Sequence, residues 1–235
     1  MNRREAFTRM GVGALVWAGE VAAEPLPSSV AGVRILDSGI AKAATELSQS
    51  VSAPYLFNHA LRTFLLGSLT GRARGMKFDE ELLYLACILH DLGLTEPFAG
   101  ELPFEIQGAQ AALRFLQDRK YATEKAEIVW DGIAMHPLRI GQFKRPEIAL
   151  VGEGAGADVL GPNPSEIGKD SLGEILTAFP RLRFKKAFLD TCGDVARRHP
   201  AATSQTFMRD VRDRYAPDFH PANFCDRVAN SPYSE

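Results

Sequence analysis

From Val33 onward the apolar residues of this chain recur at i, i+3, i+4 and i+7, the spacing of one face of an α-helix, and no stretch alternates convincingly with period two. Val33 to Ser48 carries Leu36, Ile40, Ala43, Ala44 and Leu47 at that spacing. Pro54 suits the first turn of a second helix reaching about Leu69, because its missing N–H is one the helix start leaves unused anyway. Asp79 is a good N-cap for a helix running through Leu82, Leu83, Ala86 and Leu89 to His90. Further helices are predicted over Glu105–Asp118, from Thr123 to His136, and over Pro146–Leu160, Ser171–Ala178, Phe184–Arg197 and Thr203–Tyr215. The helix ending at His136 should stop there because Pro137 disfavours helical geometry in the residue before it. No repeats occur. The pattern predicts one all-α domain over residues 33–235, entered through a Pro-, Ser- and Gly-rich linker at Pro25–Gly32.

Composition changes this picture little. The chain has 235 residues, 46% hydrophobic and 24% charged, enough for one ordinary core without staples. A formal net charge of −2 gives no electrostatic case for a nucleic-acid partner, and the basic runs Arg72–Lys77 and Arg181–Lys186 are broken by apolar residues, as solvated helix faces are. Three scattered cysteines make neither a disulfide framework nor a CxxC metal site; a Cys192–Cys225 bridge is left open, and Cys87 sits among apolar residues.

Residues 1–32 stand apart. Arg3-Arg4, the apolar run Met10–Gly19 and the small residues Val21–Ala23 follow the order of an export signal, and the paired arginines suggest the twin-arginine route to the periplasm. On that reading the mature chain begins near Glu24; the alternative is an N-terminal helix of a cytoplasmic protein. The run is too short to span a bilayer, so no membrane partner is expected.

The chemistry gathers on inward faces. His90 follows Leu83 by seven positions and Ala86 by four, which puts it on the core stripe of its helix. Asp91 is adjacent, and Gly93 offers a helix stop. A carboxylate in a core is expensive unless it is paired or holds a metal. His59 shares a face with Leu56, Thr63 and Leu66; His136 shares one with Val129, Gly132 and Ile133; and Asp158 shares one with Val151 and Ala155. Taken singly, each could be a hydrogen-bonded core residue. Together, three of five histidines and two aspartates point inward from four helices. Imidazole nitrogen with carboxylate oxygen suits Zn²⁺, Fe²⁺ or Mn²⁺, and helix bundles build such sites between facing helices.

The order His59, His90-Asp91, Asp158 resembles the HD superfamily of metal-dependent phosphohydrolases. Phe57-Asn58-His59-Ala60-Leu61-Arg62-Thr63, Leu89 to Thr95, Phe104 to Ala109 and Ala134-Met135-His136 are similar to its cyanamide hydratase branch. The resemblance implies an HD-type helical domain and a divalent metal, Zn²⁺ first, held by His59, His90, Asp91 and Asp158. It implies hydration of cyanamide to urea on a small-molecule site, with Asp91 and His136 catalytic, His136 being a further ligand or a proton shuttle. A homo-oligomer is compatible with it. Asn58 and Glu105 are weaker candidates for supporting roles.

The departures narrow the expectation. Leu94 stands where phosphodiesterases of the superfamily often carry a lysine, and Pro137 follows His136 where two-metal members carry a second histidine. A one-metal site and a small, closed, apolar pocket are therefore expected. The enzyme alternative is a phosphohydrolase with Arg62 at the cavity mouth reaching the phosphate. The non-enzyme alternative is a binding or sensor module whose metal only holds helices together.

Overall fold

The computed structural model describes residues 25–230 apart from 222; the expected export segment, 1–24, lies outside the described residues. Ten α-helices follow one short hairpin among the described residues: α1 (Gly39–Val51), α2 (Pro54–Ala73), α3 (Glu80–Leu89), α4 (Phe104–Asp118), α5 (Thr123–Met135), α6 (Pro146–Leu160), α7 (Lys169–Ala178), α8 (Phe184–Arg198), α9 (Met208–Tyr215) and α10 (Phe224–Ala229). The all-α fold expected from the periodicity is the observed one. No helix among the described residues is long and apolar enough to cross a membrane.

The expected linker is structured. Ser29–Val30 (β1) pairs antiparallel with Val33–Arg34 (β2), and the connecting Ala31 and Gly32 take positive φ angles of 51° and 71°, as the tightest hairpin turns require. Val30 and Val33 are buried in the core, and the Ala31 N–H donates to Glu174 on α7 at 3.0 Å. A two-residue strand carries too little alternation to register in a periodicity. Helix α1 therefore begins only after Ser38, whose hydroxyl accepts from the Ala41 N–H. Asp79 caps α3 as expected, accepting from the N–H groups of Glu81 and Leu82.

Helices α2 and α6 make the most extensive packing of any pair. Glycines permit it: a Cβ on Gly154 would stand 2.1 Å from the Thr63 carbonyl oxygen, and one on Gly67 would stand 2.7 Å from that of Leu150. The two backbones thus approach more closely than any side chain between them would allow. That approach brings His59 on α2 against Asp158 on α6.

Gly93 has a different job from the expected helix stop. Helix α3 ends at Leu89 with His90 as its C-cap, and a 3₁₀ turn spans Leu92–Leu94. A Cβ on Gly93 would lie 1.9 Å from the Phe104 carbonyl oxygen, so the start of α4 sits directly on this residue. The α7–α8 connection is strained, with Leu182 and Arg183 both left-handed at φ 48° and 61°. It leads straight into Phe184. The carbonyls of Phe179 and Pro180 before it accept hydrogen bonds from Arg62, and Pro180 accepts another from Asn58. Cys192 is a buried free thiol and Cys225 an exposed one, so the bridge left open by the sequence is not made.

Candidate metal centre

Three donor atoms converge. His59 Nε2 and His90 Nε2 are 3.3 Å apart, and Asp91 Oδ2 lies 3.3 Å from His90 Nε2 and 3.6 Å from His59 Nε2. A triangle with these edges puts all three atoms on a circle of about 2.0 Å radius, the length of a Zn–N or Zn–O bond. All three residues are buried, and Asp91 Oδ2 has no hydrogen-bond partner there. An orphaned buried carboxylate oxygen aimed between two imidazoles is costly without a cation and natural with one.

Each imidazole is held in the tautomer a metal needs. A carbonyl only accepts, so His90 Nδ1 donates to the Cys87 carbonyl at 2.7 Å and leaves a lone pair on Nε2. His136 repeats the device, with Nδ1 donating to the Ile133 carbonyl at 2.7 Å. Burial, assisted by the neighbouring imidazoles, holds both rings neutral: His90 titrates below the usual histidine range, and His136 is pushed down to about 3.

Asp158 is elsewhere than expected. It is buried, but it stands behind His59 rather than in the donor triangle, its Oδ2 accepting from His59 Nδ1 at 2.7 Å. Arg62 grips the same carboxylate through Nε at 2.7 Å and Nη2 at 2.8 Å, and Arg181 adds a bond to Oδ1 at 2.9 Å. Burial alone would raise the pKa of this carboxyl; the bonds from His59 and Arg62 outweigh it and hold the group well below the carboxylate range. An aspartate with both oxygens so committed orients His59 and has little left to give a metal.

The other expectations divide. Arg62 is fully buried under the site and not at a cavity mouth. Its position three after His59 lies on the same helix face, but that face is turned to α6 and the Phe179–Pro180 turn instead of solvent. His136 is beside the centre, its ring centroid 4.9 Å from that of His90, though outside the donor triangle. Asn58 anchors Pro180 and does not approach the centre. Glu105 is buried with Oε2 unpartnered and does not line the cleft; burial raises its pKa.

The centre opens into a cleft of about 850 Å³, bounded by α5, α6, α8 and α9. This corrects the expected small, closed pocket: periodicity tells which residues face inward, not how far α6 and α8 stand apart. Phe184 and Phe188 stack at 5.0 Å on α8, and Phe184 lies 4.9 Å from the His59 ring. Sequence reasoning passed over these phenylalanines and Arg181. The available signal was Phe184, Phe188 and Cys192 at i, i+4 and i+8, an apolar stripe on an otherwise charged helix.

The HD domain family model matches residues 56–160, the stretch that carries the donor triangle and Asp158. Over that stretch the chain is similar to an HD domain. The family consists generally of metal-dependent hydrolases, and its members bind divalent metals. The His59–His90–Asp91 triangle fits that requirement. Among curated relatives, cyanamide hydratases DDI2 and DDI3 of Saccharomyces cerevisiae are each 26% identical over 147 residues, covering 60% of this chain and 65% of theirs. An uncharacterized protein of Clostridium beijerinckii is 29% identical over 82 residues, 33% of this chain and 52% of its own. The chain therefore spans between half and two thirds of these relatives.

Proposed function

We propose that this protein is a divalent-metal-dependent hydratase that adds water to an uncharged nitrile of the cyanamide type. The observation that carries the reading is a three-donor triangle of metal-binding size under an aromatic wall, without the cationic lining a phosphate would need. His59, His90 and Asp91 hold the cation, with Zn²⁺ preferred and Fe²⁺ or Mn²⁺ compatible with two imidazoles and a carboxylate. A cation bound there supplies Lewis acidity, lowering the pKa of water from 15.7 toward about 7. Three protein donors leave coordination open, as catalytic sites do and closed structural sites do not.

The chain's own groups do the rest. Asp158, clamped by Arg62 and Arg181, fixes the His59 ring through its Nδ1–H. His136, neutral with its Nδ1–H given to Ile133, keeps an Nε2 lone pair to accept a hydrogen bond from water in the cleft and orient it toward the nitrile carbon. Phe184, Phe188 and Phe207 give the cleft an apolar wall beside the centre.

The size of the cleft favours a second reading, a phosphohydrolase. The charges oppose it. Arg74 lines the cleft but is bound to Glu153 and Glu166; Lys144 pairs with Asp131, and Arg145 with Glu147. Of the described cations on the wall, only Lys185, exposed at the rim, carries no ion pair. Protein stripped with a chelator and reloaded with Zn²⁺, Fe²⁺ or Mn²⁺ should release urea from cyanamide. Phosphate-ester hydrolysis without urea would exchange the two readings. Unfolding on chelation with no turnover of any substrate would favour a metal-stabilised binding module.

A further inference from the structure

Seven aromatic rings close a circuit around the centre. Starting from His59, successive ring centroids are separated by 5.1 Å to His90, 4.9 Å to His136, 5.6 Å to Phe104, 5.8 Å to Phe207, 6.3 Å to Phe188, 5.0 Å to Phe184 and 4.9 Å back to His59. Five different stretches of chain after α2 contribute to it, and all of the rings except Phe104 line the cleft. Phe207, at the N-cap of α9, is 38% exposed, although the rings on either side of it, Phe104 and Phe188, are buried. Leu138, Leu160 and Leu189 on the same cleft are exposed too, at 39%, 88% and 40%, and a patch of large apolar side chains around one opening marks a surface with something to cover it.

Cyanamide has three heavy atoms. A cleft of about 850 Å³ falls among those that hold drug-sized ligands, and at about 30 Å³ per water it has room for roughly 28 water molecules. A three-atom substrate would leave most of that volume wet and the aromatic circuit unused.

We infer that the natural substrate carries, beside its uncharged nitrile head, an aryl group that seats against Phe188 and Phe207 while the head reaches the His59–His90–Asp91 triangle. The inference rests on the hydratase reading above and assigns its substrate class. The reaction is R–NH–C≡N plus water giving R–NH–C(=O)–NH₂. Water oxygen bonds to the nitrile carbon, both water hydrogens end on the nitrile nitrogen, and no group leaves. An aryl ring suits the circuit better than an alkyl chain, since flat rings gain offset or edge contacts with neighbouring rings beyond the area they bury.

The test compares kcat/KM of the metal-loaded full chain for cyanamide, N-methylcyanamide, N-butylcyanamide and N-phenylcyanamide. Burial of one CH₂ is worth about fourfold (0.8 kcal/mol), so a half-seated phenyl ring should raise kcat/KM on the order of 30- to 100-fold over cyanamide. Phe207→Ala removes a half-exposed ring and should fold; it should cut the phenyl-to-cyanamide ratio at least fivefold, and Phe188→Ala should cut it further. Independently of turnover, calorimetry should show phenylurea binding at least tenfold tighter than urea, with the difference reduced in Phe207→Ala. Cyanamide hydration with a phenyl-to-cyanamide ratio of one or less overturns the inference and leaves the hydratase reading standing. If no nitrile is hydrated, that reading fails, and phenylurea binding no tighter than urea overturns the ring preference as well.

Discussion

The Nδ1–H of His59 and the Oδ2 of Asp158 lie 2.7 Å apart, so the carboxylate stands on the side of the imidazole away from the donor triangle. It would therefore act on a bound metal only through the ring. Such supporting carboxylates typically govern ten- to a hundredfold in metal affinity, whereas a direct ligand governs nearly all of it.

Asp158→Asn should accordingly weaken Zn²⁺ binding about 10- to 100-fold, while Asp91→Asn should reduce it to a level not measurable at micromolar metal. Competition against a colorimetric chelator separates the two. Equal losses in both variants would return Asp158 to the ligand set.

Arg62 should prove a structural residue. Its guanidinium is fully buried and makes bonds to Asp158, Phe179 and Pro180. Arg62→Ala leaves a buried carboxylate short of its main partner, which costs about 3–5 kcal/mol. Denaturant unfolding should show that loss with or without metal. An Arg62→Ala protein of normal stability but poor phosphate-ester turnover would restore the expectation that Arg62 touches substrate.

Glu105 sets a pH dependence whose sign is fixed by its raised pKa. A carboxyl with a higher pKa folded than unfolded favours the folded state while it is protonated. That contribution is complete below the unfolded value of about 4.3 and is lost as pH rises through the folded one. Glu105→Gln removes the titration, so its melting temperature relative to the parent should climb between pH 4 and pH 8. A flat or falling difference would mean that Oε2 finds a partner in solution.

Two glycines of α6 make a matched pair. A Cβ at Gly154 meets backbone atoms of Thr63 and Gly67 at 2.1 and 2.9 Å, while one at Gly156 meets nothing within 4 Å. Gly154→Ala forces α2 and α6 apart and should destabilise by about 1–3 kcal/mol or more, with weaker metal binding as His59 and Asp158 separate. Gly156→Ala should be neutral or stabilising by up to about 1 kcal/mol, the ordinary gain of alanine over glycine inside a helix. Thermal unfolding of both variants checks the contrast.

The helices and their inward faces were legible because periodicity records which positions avoid water. His59, His90, Asp91 and Asp158 all read correctly as inward-facing on that basis. What each meets inside was not legible. Asp158 and Arg62 share one buried contact, but 96 residues separate them in sequence, and neither carries a local sign of the other. Phe207 and Phe188 likewise become one wall only through the α8–α9 packing. The hairpin at Ser29–Arg34 escaped for the opposite reason, being shorter than any repeat it could display.

His90 and His136 each occupy the C-cap of a helix and each donates Nδ1–H to the carbonyl three residues earlier, in the last turn, where backbone acceptors go unused. The two rings are therefore aimed by where their helices finish. One residue inserted or deleted inside α3 or α5 would swing the following imidazole by about 100° around its helix axis. Across relatives that keep this chemistry, length should consequently be frozen from each N-cap to its terminal histidine, while the connections between helices remain free to grow or shrink.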